Sequence, residues 1–131
     1  MPEIWSVHAD EEACDLAMRA SGAGRVAADE VMVRGSIAED LRAAIRRVDP
    51  DALIREATEG WAEIVIEGGD ARDVFARVSE LRLPGGPGYV QGDVARVAAR
   101  VFVDGDGIRV LVPASWGSHL QRRFDDAGSG T

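Results

Sequence analysis

Apolar and polar positions along the chain change period several times, and each change predicts an element. From Asp10 to Ala20 the apolar residues Ala13, Leu16, Ala17 and Ala20 recur at helical spacing. Asp10 is placed to cap that helix, acids fill its first turn, and Gly22 follows its end. Val31–Arg34 predicts a short strand. Ser36 to Glu39 has the capping-box pattern, and Ile37, Leu41, Ile45 and Val48 then follow at helical spacing until Asp49-Pro50 stops them. Ala52–Ala57 and Trp61–Glu67 are strand candidates around the turn Thr58-Glu59-Gly60, a pattern that allows a hairpin. In the second of them Ile64 and Ile66 share one face and Val65 takes the other.

Asp70 is placed to cap a third helix with the stripe Val74, Val78 and Leu81, ended by the breaker-rich loop Pro84–Gly88. Two alternating runs come next. Val97, Ala99, Val101 and Val103 interleave with Arg96, Ala98, Arg100 and Phe102. Ile108, Val110 and Val112 follow the turn Asp104-Gly105-Asp106-Gly107, so the pair predicts a hairpin. Arg96 and Arg100 fall on one face of the first run, which marks that face as polar or covered by a partner. A last helix from about Ser115 to Asp126 carries Trp116, Leu120 and Phe124 at intervals of four. From Trp61 onward the order is strand, helix, strand, strand, helix. The expected fold class is α+β, a mostly antiparallel sheet in a split βαβ, ferredoxin-like arrangement with helices on one face. Residues 1–50 are expected to form an arm with two helices, 51–127 the core and 128–131 a frayed tail.

Charge and composition then narrow the function. The 131 residues suit one domain, and the formal charge of -8 disfavours nucleic acid and anionic membrane surfaces. There is no lysine, which excludes a Schiff base on a side-chain amine and a Walker-type phosphate lysine. A single cysteine, Cys14, can form neither an internal disulfide nor a thiolate metal site. No run approaches the roughly 20 apolar residues of a membrane span. Met1–Trp5 has neither the basic start nor the apolar run of a signal peptide, so a cytoplasmic protein is expected.

Candidate chemistry is sparse. Ser115 and His119 lie at i, i+4 without a local orienting acid, and read as a capping serine and a surface histidine. His8 and His119 are the only histidines, and no ligand spacing links them. The acidic turn 104–107 echoes the start of a calcium loop but lacks its later ligands. Gly22-Ala23-Gly24 lacks the flanking elements of a phosphate cradle and reads as a helix stop. Gly85-Gly86-Pro87-Gly88 also lacks them and reads as a loop that could touch a partner's cofactor region. Trp116 is expected in the core, and Trp5, in a segment without clear periodicity, is a candidate interface anchor. Trp5, Tyr89, Arg96 and Arg100 are the candidate partner-interface residues, and no catalytic, cofactor or metal residue is assigned.

The stretch from Gly60 to Ala71, Gly-Trp-Ala-Glu-Ile-Val-Ile-Glu-Gly-Gly-Asp-Ala, resembles the strand–Gly-x-Asp-Ala–helix entry of the aminomethyltransferase superfamily. Asp93–Val97 and Val110–Trp116 resemble the closing portion of the sarcosine oxidase gamma subunit family, where a strand ending in Leu-Val-Pro runs into a serine-containing cap and an aromatic-rich helix. The resemblance spans roughly residues 53–126. It implies a folate-binding-domain-like fold and a small non-catalytic subunit that helps assemble a hetero-oligomeric flavoenzyme acting on an N-methylated amine. FAD, FMN, NAD and tetrahydrofolate are then implied on larger flavoprotein partner subunits. Folate-using members present a carboxylate on the strand after the loop, where residues 94–100 here offer no acid. A second reading is a small-ligand-binding module that retains a partial tetrahydrofolate site. A third, an independent enzyme, finds no assembled nucleophile, base and orienter.

Overall fold

The computed structural model describes residues 1–105 and 107–129. Asp106 of the acidic turn and the tail residues Gly130 and Thr131 lie outside the described residues. The chain divides into two compact units at Thr58/Glu59.

In the first unit, β1 (Ile4–His8), α1 (Glu11–Ala17), β2 (Ala23–Ala27), β3 (Glu30–Arg34), α2 (Glu39–Val48) and β4 (Leu53–Glu56) follow in sequence. The strands form an antiparallel sheet in the order β2-β3-β1-β4. This β-α-β-β-α-β succession is a split βαβ arrangement. Val7, Val31, Val33 and Ile54 from the sheet pack with Ala13, Cys14, Ala17, Ile37 and Ile45 in one apolar core. Asp10 caps α1 as its position predicts, its carboxylate accepting from the Ala13 N–H at 2.8 Å. Gly22 has φ +77°, and a Cβ there would collide with the Arg34 carbonyl oxygen, so the crossing from α1 into β2 requires glycine.

Residues 1–50 are therefore more than an arm with two helices. They supply three strands and two helices of a unit with its own core, and β4 completes it, which moves the boundary from 50/51 to 58/59. The capping box at Ser36–Glu39 does not start α2. The helix begins at Glu39 with Ala38 at the N-cap and no side-chain cap, while Ile37 is spent in the core before the helix starts. The expected hairpin between the strands flanking residues 58–60 also does not form. β4 pairs with β1 instead, because a partner 45 or more residues away completes the first sheet.

The second unit contains β5 (Trp61–Ile66), α3 (Ala71–Val78), β6 (Gly88–Val94), β7 (Val97–Asp104), β8 (Gly107–Pro113) and α4 (Gly117–Ser129). The antiparallel order is β5-β8-β7-β6. The β7–β8 hairpin forms as the alternation predicts. β6 is an additional strand that the apolar pattern does not mark, since Gly88, Gly92 and Asp93 interrupt it. One face of the sheet carries α3 and α4 over a core of Ile64, Ile66, Val74, Phe75, Val101, Val110, Leu120 and Phe124. The rings of Phe75 and Phe124 stack at 6.0 Å, joining the two helices. Val65 faces away from this core and is 43% exposed.

β6 and β7 are joined by two residues only, Ala95 and Arg96, with φ of +50° and +68°. Positive φ at both central positions is the hairpin turn that Asn-Gly usually supplies. Arg96 is thus a turn residue and does not share a strand face with Arg100, contrary to the alternation read from the sequence.

Candidate functional site

The four candidate interface residues separate into three environments. Trp5 lies on β1, half-buried against the first unit's core. Its indole N–H donates to Glu3 Oε1 at 2.8 Å, and the Arg42 guanidinium lies 5.2 Å from its ring centroid. The cation–π contact and the carboxylate hold the ring within its own unit.

Arg100 and Tyr89 share the face of the second sheet that points away from α3 and α4. Tyr89 is opposite Phe102 in the register, and its ring meets that ring at 4.9 Å and 57°. Its hydroxyl donates to Gln91 Oε1 at 2.6 Å, and Gln91 is the register partner of Arg100. Arg100 in turn places its guanidinium over the ring of Trp61. Arg109, on the same face, pairs with Glu67 at 3.1 Å. This face thus carries its own aromatic and guanidinium contacts, with Val65, Gln91 and Ala98 exposed among them.

Arg96 stands apart on its turn. It lines a cavity of about 750 Å³ with Val78, Glu80, Asp93, His119 and Arg123. Two cations and two acidic residues line this cavity, and among the described residues they form no ion pair with one another. The Ser79 hydroxyl ties its rim together by donating to the Asp93 carbonyl at 3.0 Å.

The reactive side chains are spread over both units. Ser115 occupies the 3-10 turn Ala114–Trp116, exposed, and makes no hydrogen bond to His119 among the described residues. His119 instead meets the Trp116 ring edge-on at 5.7 Å. His8 Nε2 is 3.2 Å from Ser6 Oγ and 3.9 Å from Glu30 Oε2. Among the described residues no three His, Cys, Asp or Glu side chains come together as metal ligands. Cys14 is fully buried. Burial raises its thiol pKa, with the Arg25 guanidinium acting in the opposite sense. A buried thiol that resists ionisation is a packing group.

Trp116, expected in the core, is 48% exposed, because it precedes α4 in the 3-10 turn while Leu120 and Phe124 carry the buried stripe. Close by, a groove of about 550 Å³ runs between β5 and α4. Its strand side is Ala62, Glu63 and Ile64. Its wall is the stripe Ser118, Gln121, Arg122 and Asp125, one face of the helix at i, i+3, i+4 and i+7. The sequence signal was present: β5 is six residues long with a single charge, and the α4 stripe facing it is polar.

No helix among the described residues is long and apolar enough to cross a membrane. No family model matches the chain, and no curated protein matches it in sequence. Solved structures do share its fold. A chain of the heterotetrameric sarcosine oxidase from Corynebacterium sp. U-96, solved in complex with pyrrole 2-carboxylate, superposes with a TM-score of 0.78. The match covers 98% of this chain and 80% of that chain at 15% sequence identity. The α+β architecture, with its antiparallel four-stranded sheets, is therefore the fold of a sarcosine oxidase chain.

Proposed function

We propose that the chain is a small non-catalytic subunit of a hetero-oligomeric, sarcosine-oxidase-type flavoenzyme acting on an N-methylated amine. The observation that carries this reading is the fold likeness, which extends over nearly the whole chain and both of its units. The arrangement of side chains supports it. Cys14 is buried, Ser115 and His119 are not hydrogen-bonded to each other among the described residues, and Ser6 and Glu30 approach the same ring nitrogen of His8, so its ring does not relay between a nucleophile and an orienting acid. In this reading FAD, FMN, NAD and tetrahydrofolate are held by larger flavoprotein subunits, and this chain contributes packing surface.

The test is recovery of the tagged full-length chain from its native cell under non-denaturing conditions, with identification of bound chains by mass and a scan for visible flavin absorption. A large flavoprotein chain is expected to accompany it, with the flavin remaining on that chain after dissociation. Amine oxidation by the isolated polypeptide, or flavin bound to it alone, overturns the reading.

A further inference from the structure

The cavity at the β6–β7 turn is walled by the end of α3, the turn itself and one face of α4. Its volume of about 750 Å³ is that of a small-ligand pocket. Val78 and Ala95 give it an apolar patch. Arg96 enters from the turn, and His119 and Arg123, at i and i+4, from the helix. Glu80 supplies a carboxylate. Asp93 contributes backbone. Its neighbours Gly92, against Leu81, and Val94, fully buried, face the helices, so alternation turns the Asp93 side chain to the other face. Guanidinium groups therefore outnumber carboxylates in this recess, in a chain whose formal charge is -8.

The arginines of this cavity differ from others in the same unit. Arg72 donates to the Pro84 carbonyl and Arg77 to the Ala127 carbonyl, each at 2.7 Å. Arg109 pairs with Glu67, and Arg100 lies over Trp61. Arg96 and Arg123 make no hydrogen bond, ion pair or ring contact among the described residues. Arg96 is also held in a left-handed conformation that glycine would adopt without strain. Backbone strain of this kind concentrates where a side chain must be presented to a ligand. The rim is fixed. The Ser79 hydroxyl donates to the Asp93 carbonyl and accepts from the Leu81 N–H, both at 3.0 Å, which ties the end of α3 to the end of β6.

We infer that this cavity binds a small organic phosphate. Arg96 and Arg123 hold its phosphoryl oxygens with His119 as a further donor, the organic body lies over Val78 and Ala95, and Glu80 accepts from a hydroxyl on that body. The donor count selects phosphate over carboxylate. One planar guanidinium fork already satisfies both oxygens of a carboxylate, whereas two forks and an imidazole match the three terminal oxygens of a phosphate monoester. The acidity of the chain as a whole opposes an anion only weakly. Screening at physiological salt acts over about 8 Å, so distant carboxylates are damped while the two arginines touch the ligand. The inference goes beyond the assembly reading and does not depend on it.

The probe is glycerol 3-phosphate, titrated into the full-length chain at constant ionic strength and followed by amide NMR shifts. Saturable shifts confined to residues 78–80, 93–96 and 119–123 are the expected result. Arg96→Gly should weaken binding by about tenfold or more, and so should Arg123→Gln, since each removes a charge-assisted contact. Arg96→Gly relieves the turn, so its loss of affinity comes with a gain in stability, which separates a lost ligand contact from a lost fold. Arg96→Lys should recover part of the affinity, because a point charge replaces the fork. Arg46→Gln removes the same charge from the first unit and should leave binding unchanged. Shifts that scatter over the surface, that persist in Arg96→Gly and Arg123→Gln, or that fall equally in Arg46→Gln overturn the inference. Acetate or glycerol binding as tightly as glycerol 3-phosphate overturns it as well, the first by showing a carboxylate site and the second by showing that the phosphate is not what is held.

Discussion

The guanidinium of Arg100 on β7 lies 4.6 Å from the ring centroid of Trp61 on β5, reaching across the intervening strand. That strand carries Leu111, the register partner of Arg100, fully buried. The contact therefore does two things: it satisfies a cation over an indole face and it spans three strands on the side of the sheet that has no helices. Arg100→Ala should cost about 0.5–2 kcal/mol in denaturant unfolding and alter Trp61 emission. Arg100→Lys should recover only part of the loss, because a point ammonium does not stack as a planar guanidinium does.

The Ala95-Arg96 turn stores conformational strain that glycine would relieve. A left-handed conformation costs a non-glycine residue roughly 1–2 kcal/mol. Arg96→Gly is expected to raise the denaturation midpoint, with a gain of about 1 kcal/mol and an unchanged denaturant slope. A loss of stability instead would show that the arginine side chain is held by contacts that outweigh the strain.

Gly22 is the opposite case. Its positive φ and its approach to the Arg34 carbonyl leave no space for a Cβ. Gly22→Ala is expected to destabilise the first unit by about 2 kcal/mol or more, because the Arg34 N–H that donates to the Gly22 carbonyl at 2.8 Å must shift with it. Thermal unfolding compared with Gly128→Ala, a position with open space around it, is the control.

Cys14 gives a pH prediction whose sign follows from burial. Its thiol pKa lies above the ordinary 9.0 in the folded chain. As pH rises past about 9 the unfolded chain ionises first, so the folded state keeps its full stability below that pH and loses it above. Cys14→Ala should flatten this alkaline decline in an unfolding series from pH 7 to 10. A thiol reagent should modify the wild-type side chain only once denaturant is added.

Periodicity made most of the elements legible and few of their partners. The stripe ending in Leu120 and Phe124 and the alternation of residues 97–103 against 108–112 state which faces are buried, and the structure buries them. The pairing of β4 with β1 is not written in either strand, because a hydrophobic alternation fits any antiparallel neighbour. β6 is not legible because glycine and aspartate break its pattern, and the Arg96 turn is not legible because a two-residue turn without glycine or asparagine leaves no local mark. The candidate site was less legible still. Trp116, expected in the core, is exposed and Trp5 is half-buried, since a tryptophan's exposure depends on its place in an element.

Gly117 and Ala62 share one methyl group's worth of room. Position 117 cannot gain a side chain while Ala62 keeps its methyl group, so substitutions at the two positions are linked and their effects will not add. Exchanging the two residues should keep the helix seated, whereas Gly117→Ala alone would lever the start of α4 off the strand and change the width of the space between them.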